Sequence, residues 1–317
     1  MAFFLTIHML SLSGINILNQ IFLQKHHHYS ISLLNPNHFM VSGKLILNVI
    51  AGVSSLILFS CNNGSQQKKA VDSTKKTVVV NTMIPGTPIH YDSSKRYIFL
   101  TWDDSPQPPG TQNCTRTFRE QGVKATFFAV AAHYNIDPLR KKILDSLKKA
   151  YPEFLVANHS YTHAFRDNYN FYYMHMDSAV NDILKAQQDM QIPLKIVRLP
   201  GRNTWAGNSE FRGPKTSEKV ARKLDSLGYK IIGWDIEWQF IKGNIPKQSA
   251  TALAKEVNDK FDVGYTNQPN MMVILAHDRM FAKPQYIDSL KALIQLLKQD
   301  PRNVFETIDH YPTVQQK

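Results

Sequence analysis

Two adjacent carboxylates, Asp103 and Asp104, close the apolar run Tyr97-Ile98-Phe99-Leu100-Thr101-Trp102 and are followed by Ser105-Pro106. Farther along, His159 and His163 stand four apart in Asn158-His159-Ser160-Tyr161-Thr162-His163. At that spacing two imidazoles share a face wherever the chain turns helically, close enough to hold one cation. Two imidazoles and one carboxylate leave open positions on a zinc-like ion, which is the form of a catalytic rather than a structural site. More groups able to move protons or pair with anions follow: Arg198 in Arg198-Leu199-Pro200-Gly201-Arg202, Asp235 and Glu237 in Trp234-Asp235-Ile236-Glu237-Trp238, and His277 in Leu275-Ala276-His277-Asp278. Each of these alone is also what an ordinary salt-bridging loop contains, and a lone HxxxH is common by chance. Recurrence at successive strand ends favours a site.

The elements that must position them are legible from patterning. Strands are predicted over 97–102, 125–130, 154–158, 195–198, 229–234 and 271–276, with a weaker one over 303–306. Helices are predicted near 113–121, 138–150, 177–191, 215–227, 249–262 and 284–299, several opening on first-turn or cap residues such as Asp177 and Ser249. About seven strands separated by helices argue for an α/β fold with a parallel sheet, for which a barrel is the natural closure. Adjacent side chains on a strand point to opposite faces, so Asp103 and Asp104 converge on one site only if the backbone bends at the strand end. That C-terminal end is where α/β barrels keep their chemistry.

Composition sets the wider bounds. The chain has 317 residues, 43% of them apolar, enough for a full core. Lys and Arg number 37 against 25 Asp and Glu, a net charge of +12 that favours anionic surroundings. No nucleic-acid module or arginine stripe accompanies it, so a nucleic-acid partner is not expected. The 2 cysteines, Cys61 and Cys114, permit no disulfide framework, and Cys114 lies in a helical pattern as a packed thiol.

The N-terminal portion reads as an address. Lys44 and the apolar stretch from Leu45 to Leu58, then Phe59-Ser60-Cys61, have secretory signal architecture. Leu58-Phe59-Ser60-Cys61 resembles a bacterial lipobox, which implies lipidation of Cys61 and attachment to the membrane. The alternative, a transmembrane helix, needs roughly 18–20 apolar residues, more than the run supplies. The expected organisation is therefore 1–39 a mis-called extension, 40–61 a lipoprotein signal with lipidated Cys61, 62–87 a polar tether, and 88–317 a catalytic domain.

Over roughly residues 90–310 the sequence resembles the polysaccharide deacetylase (NodB homology) family, metal-dependent enzymes that remove acetyl groups from chitin, peptidoglycan or xylan. Thr101-Trp102-Asp103-Asp104-Ser105-Pro106 is similar to the family's Thr-Phe-Asp-Asp-Gly-Pro motif, and His159-Ser160-Tyr161-Thr162-His163 fits its His-Ser/Thr-x-x-His motif. The resemblance implies a distorted (β/α) barrel of about seven strands and a divalent metal, zinc first, with cobalt or nickel possible. Carried over, it makes Asp104, His159 and His163 the metal ligands, Asp103 the general base paired with Arg198, and His277 the general acid. Glu237 or Asp235 would orient His277; the shortened motif ending at Trp238 leaves both open. Pro200, Gly201, Trp205 and Trp238 would line the substrate and oxyanion pocket. The family's third motif usually carries an aromatic residue where Gly201 stands here, and the segments 164–176 (Phe165, Tyr169, Phe171, Tyr172, Tyr173) and 201–214 (Trp205, Phe211) are longer than usual. Their aromatics would either stack on sugar rings or cap the barrel end.

The expected reaction is removal of N-acetyl groups from an extracytoplasmic polysaccharide, with release of acetate. An O-acetyl esterase acting on xylan or a decorated glycan is the alternative within hydrolases. A non-catalytic glycan-binding homologue is the alternative outside them.

Overall fold

In a computed structural model, the structure describes residues 84–315. The expected extension, signal segment, Cys61 and most of the tether lie outside the described residues. The strands are β1 (Arg96–Ser105), β2 (Ala125–Ala129), β3 (Phe154–Asn158), β4 (Ile196–Val197), β5 (Trp205–Gly207), β6 (Glu210–Arg212), β7 (Lys230–Ile231), β8 (Ile236–Glu237), β9 (Phe240–Ile241), β10 (Ile245–Pro246), β11 (Met271–His277) and β12 (Asn303–Phe305). The helical segments are α1 (Gly110–Gln121), α2 (Ala131–Tyr134), α3 (Pro138–Lys148), α4 (His163–Asp167), α5 (Tyr169–Met174), α6 (Met176–Asp189), α7 (Lys215–Ser226), α8 (Ala250–Asp262) and α9 (Pro284–Leu297). Short 3-10 turns follow at Asp278–Phe281 and Ile308–His310.

Strands β7-β4-β3-β2-β1-β11-β8 run parallel in that spatial order, and β12 pairs with the start of β1. Antiparallel β5 and β6 extend the β7 edge. The sheet curls into a half-barrel with helices outside, the distorted (β/α) barrel expected from sequence. The two-residue strand β8 and the β5–β6 hairpin are additions to that expectation. β8 lacks the run length that marks a strand, and the hairpin lies in a segment expected to be loop.

β1 is buried along its whole length because it is clothed on both faces. Ile98, Leu100 and Trp102 pack outward with Phe118, Phe127 and Leu293 beneath the helices. Tyr97 and Phe99 face inward with Phe128, Trp205, Ile232, Val273 and Tyr311. This alternation puts Thr101 and Asp103 on the inward parity and would send Asp104 outward into apolar packing. Cys114, also in the outer layer, is fully buried, and burial pushes its thiol pKa up.

Candidate active site

A bulge prevents that outcome. β1 and β2 pair in register through Asp103, then slip, so that Ser105 opposes Ala129 and Asp104 is the extra residue. Asp104 adopts φ 72°, a left-handed conformation that Asp tolerates better than most side chains. Bulges of this kind re-aim a side chain. Here the bulge brings Asp104 to the same mouth as Asp103.

At that mouth Asp104, His159 and His163 place one donor atom each within 4.8 Å of one another. His163 Nε2 lies 3.2 Å from Asp104 Oδ1, and His159 Nε2 lies 3.8 Å from the same oxygen. Each ring is fixed through its other nitrogen: His159 Nδ1 bonds the Arg198 carbonyl at 2.8 Å, and His163 Nδ1 bonds Asp167 Oδ1 at 2.6 Å. Outer partners of this kind set the tautomer of a metal-binding histidine and leave Nε2 for the cation.

Asp104 supplies the test of fit. It is 1% exposed, yet among the described residues neither carboxylate oxygen accepts a hydrogen bond. The nearest cation, Arg279 Nη2, stands 3.2 Å from Oδ2. A buried carboxylate without donors is costly, and a divalent cation is what that environment suits. Burial acts to raise the Asp104 pKa, but the positive field of His163, His277, His159 and Arg279 outweighs it and holds the group well below the usual carboxylate range. Burial, reinforced by His163, holds His159 down to about 3, so that the neutral imidazole faces Asp104. The residues present fit a divalent cation.

Asp103 is built differently. Its Oδ1 accepts from Arg198 Nη1 at 2.8 Å, while Oδ2 lies 3.6 Å from His159 Nε2. Arg198, fully buried, also donates to Thr101 Oγ1, the Gly233 carbonyl and the Ile232 carbonyl, over the Phe128 ring. The expected contact is made, but burial raises Asp103 above its ordinary value although Arg198 works against it. A raised carboxyl is the stronger base. His277 stands level with Asp103 on neighbouring β11, packed on Phe240. Burial lowers its pKa.

Four expected roles are not supported by position. Asp235 does not reach His277: its oxygens accept from the backbone N–H groups of Asn267 (2.7 Å) and Val273 (2.8 Å), four residues before His277 on β11. Glu237 sits on the inward parity, paired with Leu275, yet His277 Nδ1 has no hydrogen-bond partner among the described residues, so neither acid orients it. Trp238 is buried in the outer core, donating to the Gln248 carbonyl and packed on Phe281. Trp205 stacks on Tyr311 inside the barrel rather than at the mouth. Trp238 fills interior space among apolar neighbours, whereas Trp205 lies between the Tyr311 ring and a polar cleft lined by Asn203, Arg212, Asp235 and Asn267.

Pro200 and Gly201 are at the rim, where the Pro200 carbonyl accepts from Tyr173 and Gly201 faces the Tyr169 ring. The pattern had not singled out Arg279 or Asp167, whose cues were proximity alone: Arg279 two residues past His277, and Asp167 one further helical step past His163.

A model of the polysaccharide deacetylase family matches residues 90–204. No match is found among curated protein sequences. Among solved structures, a CE4 esterase from Streptococcus mutans is similar at 21% identity, covering 67% of this chain and 86% of that one, with a TM-score of 0.51. The catalytic domain of a peptidoglycan N-acetylglucosamine deacetylase from Eubacterium rectale gives 20% identity, 72% and 95% coverage and a TM-score of 0.49. A polysaccharide deacetylase from Bacillus cereus gives 25% identity, 67% and 92% coverage and a TM-score of 0.45. Residues 90–204, which include Asp103, Asp104, both histidines and Arg198, thus match the polysaccharide deacetylase family, and the barrel is similar in fold to that of a CE4 esterase.

Proposed function

We propose that this protein is a metal-dependent carbohydrate deacetylase that removes N-acetyl groups from an extracytoplasmic polysaccharide of the peptidoglycan or chitin type. The observation that carries this reading is the buried Asp104 carboxylate, without hydrogen-bond donors among the described residues, facing two imidazoles each bonded through Nδ1. The family match supports a hydrolytic deacetylase.

Asp104, His159 and His163 would hold the ion. A divalent cation there supplies Lewis acidity and lowers the pKa of water toward about 7. Asp103 keeps Oδ1 on Arg198 and presents Oδ2 on the His159 side, so the proton of the attacking water passes to Oδ2. Arg198, anchored by three further acceptors, fixes that carboxylate in place. His277, beside Asp103, returns a proton to the departing amine nitrogen as the C–N bond breaks. The Gly201 backbone N–H is the proposed donor to the oxyanion, a contribution of roughly 3 kcal/mol in comparable sites. Water and the acetamide thereby become acetate and a free amino sugar.

Acetate release from N-acetylglucosamine oligomers, measured with added zinc for wild type and His159→Ala, tests the reading. Zinc-dependent release that the variant lacks is the expected result. Full release by metal-free His159→Ala would overturn it, and release confined to acetylated xylan would make the enzyme an O-acetyl esterase.

We place the enzyme outside the cytoplasmic membrane, tethered through a lipid on Cys61. Cys61→Ser is expected to move the protein from the membrane to the soluble fraction. If it stays with the membrane, the anchor is not this cysteine.

A further inference from the structure

The five residues His163–Asp167 have φ of 52°, 53°, 55°, 58° and 67°, so α4 winds left-handed without a glycine. Such winding costs roughly 1–2 kcal/mol per residue for L-amino acids. It persists only where the surroundings over-determine it, and such strain clusters at functional sites. Here the surroundings are specific. His163 N–H donates to Ser160 Oγ, Phe165 N–H to Thr162 Oγ1, and the Tyr161 and Thr162 N–H groups to Asp182. Ala164 is fully buried and Phe165 packs on Tyr172 at 4.9 Å.

This turn delivers two things at once. His163 Nε2 meets Asp104, while four residues on the Asp167 carboxylate meets His163 Nδ1 at 2.6 Å. Asp167 is itself held by the Tyr169 hydroxyl, which donates to the same oxygen at 2.9 Å. The Tyr169 ring stands edge-on to His163 and under the Arg202 guanidinium. On its other side it fills the space a side chain at position 201 would need: a Cβ on Gly201 would lie 2.6 Å from Tyr169 Cε1. The glycine in the third motif and the long 164–176 segment are therefore one feature, because an aromatic ring from the segment occupies the place position 201 vacates.

We propose that Asp167 is a positioning residue for His163, delivered by the left-handed turn and held by Tyr169 wedged against Gly201. This rests on the reading of Asp104, His159 and His163 as metal ligands. Carboxylate partners of ligating histidines typically change metal affinity 10–100-fold. Asp167 is largely exposed, with its side chain 66% accessible, so solvent screening puts the expected effect at the lower end, about tenfold.

Competition titration of zinc against a chromophoric chelator tests this in the metal-depleted full chain. Asp167→Gly keeps the left-handed backbone while removing the carboxylate. It is expected to weaken zinc binding about tenfold, and Asp167→Asn, which keeps an acceptor oxygen, to restore most of it. Tyr169→Phe should weaken binding roughly two- to threefold by freeing Asp167. Long-range nitrogen NMR of the zinc-loaded protein gives a second readout: His163 is expected as its Nδ1–H tautomer in wild type, with Nε2 left for the ion, and as a mixture in Asp167→Gly. His159→Ala is the control. Unchanged zinc affinity and tautomer in Asp167→Gly, with binding lost in His159→Ala, overturns the positioning role and leaves the metal reading standing. Unchanged affinity in His159→Ala removes the metal reading itself.

Discussion

Asp104 closes the pair Asp103-Asp104 at the end of one strand and Asp235 opens Asp235-Ile236-Glu237 just before another, and the barrel treats the two in opposite ways. Asp235, level with Val273 and about 13 Å along β11 from His277, has each oxygen on a backbone N–H. Asp104, at the mouth, is more deeply buried and has no donor on either oxygen among the described residues. A carboxylate that accepts from the main chain closes the hydrogen-bond requirements of a turn. A buried carboxylate that does not is held in reserve for a ligand. The comparison also separates Trp205 and Tyr311, stacked in the interior with Asp235 nearby, from His277 and Arg279 at the mouth, whose Nδ1 and Nε lack partners. Among the described residues, polar groups left unsatisfied gather at the mouth and, in a second set, at Asn303, Thr307, Asp309 and His310.

That contrast is breakable. Asp104→Asn is expected to abolish zinc binding and lower acetate release by roughly a thousandfold or more, about 4 kcal/mol in the barrier. Its melting temperature should fall modestly, since the ionised carboxylate that the surrounding positive groups, Arg279 among them, favour on folding is removed. Arg198→Met comes next. It strands Asp103 in the interior and leaves two carbonyls unpaired, so a loss of about 3–5 kcal/mol in urea unfolding is expected, together with activity. Asp235→Asn, with an amide NH2 turned on a backbone N–H, should cost about 1–3 kcal/mol of stability and leave zinc affinity as in wild type. Were Asp235→Asn to lose zinc while staying folded, the division between a structural and a functional acid would collapse.

Much of the mouth was legible because its groups come from strand ends, where apolar runs stop abruptly: Asp103, Asp104, His159, Arg198 and His277 each follow such a run. What the pattern did not carry was direction. The bulge that turns Asp104 inward has no composition of its own beyond two adjacent acids. The left-handed turn at His163–Asp167 lacks the glycine that would announce it. Asp235 was a candidate partner of His277 because linear spacing does not say which backbone N–H groups a carboxylate will meet. Trp205 and Trp238 read as lining the substrate pocket, although Trp205 is 8% exposed and Trp238 fully buried as core. β8 escaped notice because its two residues pair only through the register of β11.

A third acid lies between the two cases and gives the finest test. Asp278, fully buried beside His277, accepts from Ser105 Oγ at 2.7 Å and from Thr111 Oγ1 on one oxygen, while the other has no partner among the described residues. It is half satisfied, and without a cation beside it burial sets its titration. Burial pushes it up to about 7, against the pull of the two hydroxyls and with the charges of Asp104 and Asp103 assisting. An acid raised on folding is protonated in the folded chain while already ionised in the unfolded one across the window from about 4 to 7. The folded state therefore binds more protons there, and stability falls as pH rises through that window. The fall from this group is at most about 1.4 kcal/mol per pH unit. Asp278→Asn mimics the protonated acid, with its carbonyl oxygen available to the two hydroxyls. In metal-depleted protein, urea midpoints of wild type and variant are expected to converge near pH 4 and to separate in the variant's favour toward pH 8. Parallel profiles over that range would mean that Asp278 is ionised throughout, held by Ser105 and Thr111 as completely as Asp235 is held by the main chain.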